Sequence, residues 1–180
     1  MKTRVIFFAG QSLGQVFGLG LLGVILCGTA SGQGSKADLF IGYSRLGANT
    51  LVGNTPALGG WQGAMNVQVK PRLGFEGDLS HYGLESANNV ERSTMLLLGP
   101  RVTVGGAGVH VYVHGLLGGE HSANQIGNSS GAMAMALGGG LDVHFAPYLS
   151  WRMADDYVDA TSNPAHAAHN RFSLGIAFYF

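Results

Sequence analysis

From residue 37 onward the chain alternates apolar positions with polar or small ones at a period of two, the spacing that places successive side chains on opposite faces of a strand. The clearest stretch is the last ten residues, where Phe172, Leu174, Ile176, Phe178 and Phe180 interleave with Arg171, Ser173, Gly175, Ala177 and Tyr179. A second stretch sets Met133, Met135, Leu137, Leu141, Val143 and Phe145 against Ala134, Ala136, Gly138, Gly140, Asp142 and His144. The pattern predicts eight strands, near residues 37–46, 60–69, 73–82, 93–104, 109–119, 131–145, 148–158 and 170–180. Each has the ~9–11 residues or more that a tilted strand needs to cross a bilayer.

The connections alternate in length. Lys70-Pro71-Arg72, residues 105–108 and Ala146-Pro147 are tight, whereas 47–59, 83–92, 120–130 and 159–169 read as long polar loops. Short turns on one rim and long loops on the other are the layout of a membrane-spanning barrel. An even-numbered, closed, antiparallel sheet meets the demand lipid makes, since every backbone N–H and C=O finds a partner and no edge remains. A soluble barrel of the lipocalin or avidin kind alternates too, with its apolar set facing inward. Alternation alone does not choose between the two.

Composition does. Charged residues are 11% of the chain, against roughly a quarter in ordinary soluble domains, too few to cover the outside of a soluble barrel. Aromatic residues fall near strand ends and imply two girdles: Phe75, Phe145, Tyr148, Phe178 and Phe180 beside the turns, and Trp61, Tyr82, Tyr157 and Phe172 beside the loops. Gly42, Gly138, Gly140, Gly175 and Ala177 form a small set suited to a cramped interior. The expected fold is an all-β, eight-stranded, antiparallel up-and-down transmembrane barrel.

The first 32 residues read as a cleavable signal peptide and 33–180 as the barrel domain. Met1-Lys2-Thr3-Arg4 carries two cations, an apolar run extends from Val5 to Cys27, and Gly28-Thr29-Ala30-Ser31-Gly32 supplies the small residues of a cleavage site. The competing reading, an uncleaved membrane helix, is weakened by Gly14, Gly18, Gly20 and Gly23. Cys27 is the single cysteine, so the mature chain has no thiol, no disulfide and no cysteine-based metal site; Leu26 before it disfavours lipidation. Ten acids balance ten cations, and losing Lys2 and Arg4 leaves the mature chain at −2. No basic field exists to hold nucleic acid.

By parity Glu76, Asp78, Arg101, Asp142, Arg152, Asp156 and Arg171 face inward. A hairpin centred at Asn88-Asn89 sets Glu76 opposite Arg101, one centred at Pro147 sets Asp142 opposite Arg152, and one centred at Asn163-Pro164 sets Asp156 opposite Arg171. The expectation is an interior salt-bridge network with no catalytic, cofactor or metal site, because an eight-stranded interior is only wide enough for side chains to fill. General porin activity is excluded on the same ground. His110 and His114 share the inner face with Tyr112, and His166 and His169 have a spacing that suits a metal, but no cysteine or carboxylate cluster completes a coordination shell.

The closing RFSLGIAFYF, with Phe180 last behind Phe172, Leu174, Ile176 and Phe178, resembles the signature that ends bacterial outer-membrane barrels. Residues 136–157, ALGGGLDVHFAPYLSWRMADDY, resemble the penultimate hairpin of small OmpA-like and OmpX-like barrels. Asp155 departs from the pattern by falling on the lipid face, which a bulge or a position at the outer rim would accommodate. The resemblance implies an outer-membrane location, lipid as surrounding partner, recognition of the last strand by the barrel-assembly machinery, and a monomer. It also implies four surface loops with a structural, envelope-integrity or surface-interaction role. Loops 47–59 and 120–130 are the candidate contacts for an extracellular ligand. Lipid A modification is an alternative role for small barrels, but the deacylase pattern resembles His-x-Ser, and His121-Ser122 are adjacent. A soluble periplasmic binder of lipocalin type is the other alternative.

Overall fold

A computed structural model of the chain describes residues 37–48, 58–86, 89–106, 108–124, 129–160 and 169–180. The leader read over 1–32, and much of the loop sequence, lie outside them. Eight strands follow one another: β1 (Ala37–Ala48), β2 (Leu58–Lys70), β3 (Leu73–Ser86), β4 (Asn89–Gly106), β5 (Val109–Asn124), β6 (Ser129–Ala146), β7 (Leu149–Ala160) and β8 (His169–Tyr179). Each pairs antiparallel with its sequence neighbours, and β8 returns to β1 to close the barrel. The seam runs from Asp38 opposite Tyr179 to Ala48 opposite His169, and Ala37 and Phe180 exchange two 2.9 Å backbone hydrogen bonds at its foot. No sheet edge is left to pair with another chain.

Period two sets which way each side chain points. Along β7, Trp151, Met153, Asp155 and Tyr157 are exposed while Arg152, Ala154, Asp156 and Val158 are buried. The exposed set is the bulky apolar one throughout, as with Met133 and Leu137 at 74% and 69% exposure, whereas Arg101, Arg152 and Arg171 are 1% exposed or less. A soluble barrel has the opposite arrangement. Phe75, Phe145, Tyr148, Phe178 and Phe180 lie exposed at the turn end, and Trp61, Tyr157 and Phe172 toward the loop end. Tyr82 is a correction to the sequence reading: it shares the inward parity of Ser80, is fully buried, and shares a 3.0 Å hydrogen bond with Ser44.

The turn rim is tight as expected, with Pro71-Arg72 and Pro147-Tyr148 as turn residues. Gly108 adopts φ 86°, open to glycine at little cost, where the chain reverses between β4 and β5. On the other rim the strands run farther than hydrophobic alternation alone indicated. Ser86 pairs with Asn89, so the segment read as a long loop over 83–92 is mostly strand, and only 87–88 join β3 to β4. Polar strand ends beyond a bilayer carry no apolar alternation to mark them. Asp155 needs no bulge: it pairs regularly with Gly139 and Phe172, two residues below the girdle residue Tyr157.

Candidate functional site

The interior holds the chain's concentrated chemistry, and the strands present it by parity. Asp142 stands directly opposite Arg152, whose Nε and Nη2 donate to its two oxygens at 2.7 and 2.8 Å. Asp156 stands opposite Arg171 and accepts from its Nε and Nη2 at 2.8 and 2.6 Å. Glu76 is opposite Gly99, while Arg101 lies opposite Gly74, a register two residues away from the pairing read in the sequence because the hairpin is centred earlier. The long guanidinium spans that offset, and Arg101 Nη1 donates to Glu76 at 3.3 Å. Asp78 accepts from Arg171 Nη1 at 2.9 Å across the lumen.

Cross-lumen contacts join these pairs into one network, and sequence reasoning missed several members. Asp38 accepts from Arg101 at 3.2 Å and Arg152 at 2.8 Å. It shares parity with Phe40 and Gly42, so its facing was legible. Gln62 donates to Asp78, and Asn66 to Asp38 at 2.9 Å. Tyr179 donates its hydroxyl to Asp142 at 2.5 Å. His114, read as an ordinary inward polar position, sets Nδ1 3.2 Å from Glu76 and Nε2 2.8 Å from Asp156. Both ring nitrogens face carboxylate oxygens, the geometry of an imidazolium donating twice. Four cations thus meet five acids. Arg101 also lies 3.6 Å above the Tyr112 ring, a cation–π contact.

The glycines make room for this filling. A Cβ on Gly140 would lie 2.5 Å from the Tyr112 hydroxyl, and one on Gly42 would lie 2.5 Å from the Phe40 ring. On the loop side of the network the interior becomes apolar, with Leu46, Tyr82, Met95, Leu97, Leu116, Ala134, Ala136 and Val158 in one cluster. On the turn side it opens into a basin of about 690 Å³ lined by residues including Arg72, Thr103, His110, His144 and Tyr179. His144 stacks against Tyr179 with ring centroids 4.7 Å apart and edge-on against His110 at 4.8 Å.

Chemically the network neutralises charge. Every one of its carboxylates accepts from an arginine or lies against the His114 imidazole. Among the described residues no group of three His, Cys, Asp or Glu side chains is arranged to hold a metal ion. His169 places Nδ1 3.3 Å from the Gly47 carbonyl, and His166 lies outside the described residues. Ser122 shares a 2.8 Å hydrogen bond with Ser130, and its neighbour His121 has the opposite parity. On the outside of the barrel His81 Nδ1 lies 2.8 Å from the Thr94 hydroxyl, with no carboxylate among the described residues to orient the imidazole. Phe172, Leu174, Ile176, Phe178 and Phe180 all have the outward parity of β8.

No family model matches the chain, and no curated protein does. Solved structures match in fold. The attachment invasion locus protein Ail of Yersinia pestis superposes with a TM-score of 0.58 at 17% identity, over 81% of this chain and 99% of its own. Neisserial surface protein A superposes with a TM-score of 0.63 at 10% identity, over 81% of this chain and 97% of its own. The N-terminal β-barrel domain of Pseudomonas aeruginosa OprF gives 0.55 at 17% identity, over 83% of this chain and 100% of its own. The chain therefore has the fold of small bacterial outer-membrane barrels of the OmpA and OmpX type, with an exterior built for hydrocarbon.

Proposed function

We propose that the chain works as a closed outer-membrane barrel that holds surface segments outside the cell and reinforces the envelope, without conducting solutes as a porin does. One observation carries this reading: beyond the turn-side basin the lumen is filled, by the ionic network around Arg101, Arg152 and Arg171 and, on the loop side, by the apolar cluster around Leu97 and Leu116. Wide aqueous channels need about sixteen strands. Ail and Neisserial surface protein A carry attachment, invasion and surface in their names. Contact outside the cell is the role this reading extends to the loop sequence read at 47–59 and 120–130. The chain stands alone as a monomer in lipid, and its last strand, ending in Phe178 and Phe180, is what the assembly machinery would read.

Planar-bilayer recording of the purified, folded barrel is the test. Expected is the absence of steady ohmic steps of porin size. A stable large conductance that persists at high salt would overturn the closed-lumen reading. Lipid A masses from cells with and without the protein are expected to coincide, and an altered acyl chain would favour an enzyme instead.

A further inference from the structure

The outside of the barrel carries an unexplained polar notch near the loop rim. Register sets Tyr43, Trp61, His81, Thr94 and His121 side by side across β1 to β5, all with outward parity. Two residues nearer the loops, on the same face, stand Arg45, Gly59, Gly83 and Arg92 in one row. Both arginines are exposed. The glycines between them carry no side chains of their own: a Cβ on Gly83 would meet nothing within 4 Å, while the phenol of Tyr43 lies over Gly59, its hydroxyl 2.7 Å from where a Cβ would stand. Three strand spacings separate the guanidinium-bearing positions, roughly 14 Å. The floor is Trp61 and His81, their rings 6.3 Å apart.

Charge is placed with the same selectivity. Among the described residues the other arginines and lysines are either buried in the lumen, as Arg101, Arg152 and Arg171, or at the turn rim, as Lys70 and Arg72. Glu85, paired with Val90, has the outward parity of Gly83 and is the one carboxylate position of that parity on β1 to β5, whereas Asp155 is exposed on β7, on another side of the barrel. A guanidinium beside hydrocarbon is costly near the midplane and favourable at an anionic headgroup layer. Its fork matches phosphate oxygens in pairs.

We propose that Arg45 and Arg92 seat a bisphosphorylated glycolipid headgroup of the outer leaflet, one phosphate on each guanidinium. The sugar lies over the open backbone at Gly83, against Tyr43, Trp61 and His81. The site rests on the outer-membrane reading above but on different residues from the closed lumen. The test uses the folded, full-length mature barrel in detergent, with bound lipid counted by native mass spectrometry. Bisphosphorylated lipid A is expected to bind at least tenfold more tightly than the same lipid stripped of phosphate. The R45Q/R92Q variant is expected to lose that preference, while K70Q/R72Q, with the same charge removed at the other rim, keeps it. A gel shift between unboiled and boiled samples shows that each variant has folded. Equal phosphate preference in R45Q/R92Q and wild type, or none in wild type, overturns the proposal, as does inorganic pyrophosphate competing as well as the lipid. Bilayer recordings without conductance would leave the closed-lumen reading standing in each of those cases.

Discussion

At the scale of single residues, stability in this barrel depends on leaving no interior charge without its partner. Asp142 shows the principle most sharply, because Arg152, Arg101 and Tyr179 all donate to it and it is fully buried. Asp142→Asn is expected to cost about 3–5 kcal/mol in reversible urea unfolding from lipid vesicles, since two buried guanidinium groups lose compensation. Asp155→Asn, exposed and outside the network, is expected to stay within about 0.5 kcal/mol. Glycine sites divide in the same way. A Cβ on Gly175 would come within 2.2 Å of the Ile41 carbonyl oxygen, so Gly175→Val is expected to destabilise by about 1–3 kcal/mol or more, whereas Gly106→Ala, with nothing within 4 Å, is expected to be silent. The same unfolding series measures both.

At the scale of the strand, the two faces answer to different solvents, and substitutions should respect the boundary. Ile176 pairs with Ile41 and Trp151 on the outward face of the closing seam, so Ile176→Arg is expected to cost ~2–4 kcal/mol of folding free energy in lipid. An unchanged value would place β8 the other way round. Strand number, facing and two of the three ion pairs were legible in the sequence, because a period of two and a hairpin centre fix parity and register wherever the turn is short or symmetric. Asp142 with Arg152 across Pro147 is such a case. Glu76 with Arg101 was misaligned because residues 83–92 carry no apolar pattern, so the β3–β4 hairpin centre could not be read and the strands' extension to Ser86 and Asn89 stayed hidden. Contacts that cross the lumen, such as Arg171 with Asp78 and His114 with Asp156, join strands that are not neighbours in the sheet and leave no signature in local spacing. The notch between Arg45 and Arg92 was unreadable for a related reason, since it needs three registers at once.

At the scale of the whole molecule, everything follows from one orientation: oily side chains outward, a neutralised ionic core inward. The chain carries its own reporters of that orientation, since its two tryptophans, Trp61 and Trp151, are both outward and 41% and 52% exposed, one toward each girdle. The direct measurement is tryptophan fluorescence of the folded barrel in vesicles whose lipids carry bromine on their acyl chains. The result expected is blue-shifted emission, strongly quenched by the brominated chains and little affected by iodide in the water. Red-shifted emission that iodide quenches and brominated lipid does not would contradict the account, because those indoles would then face water.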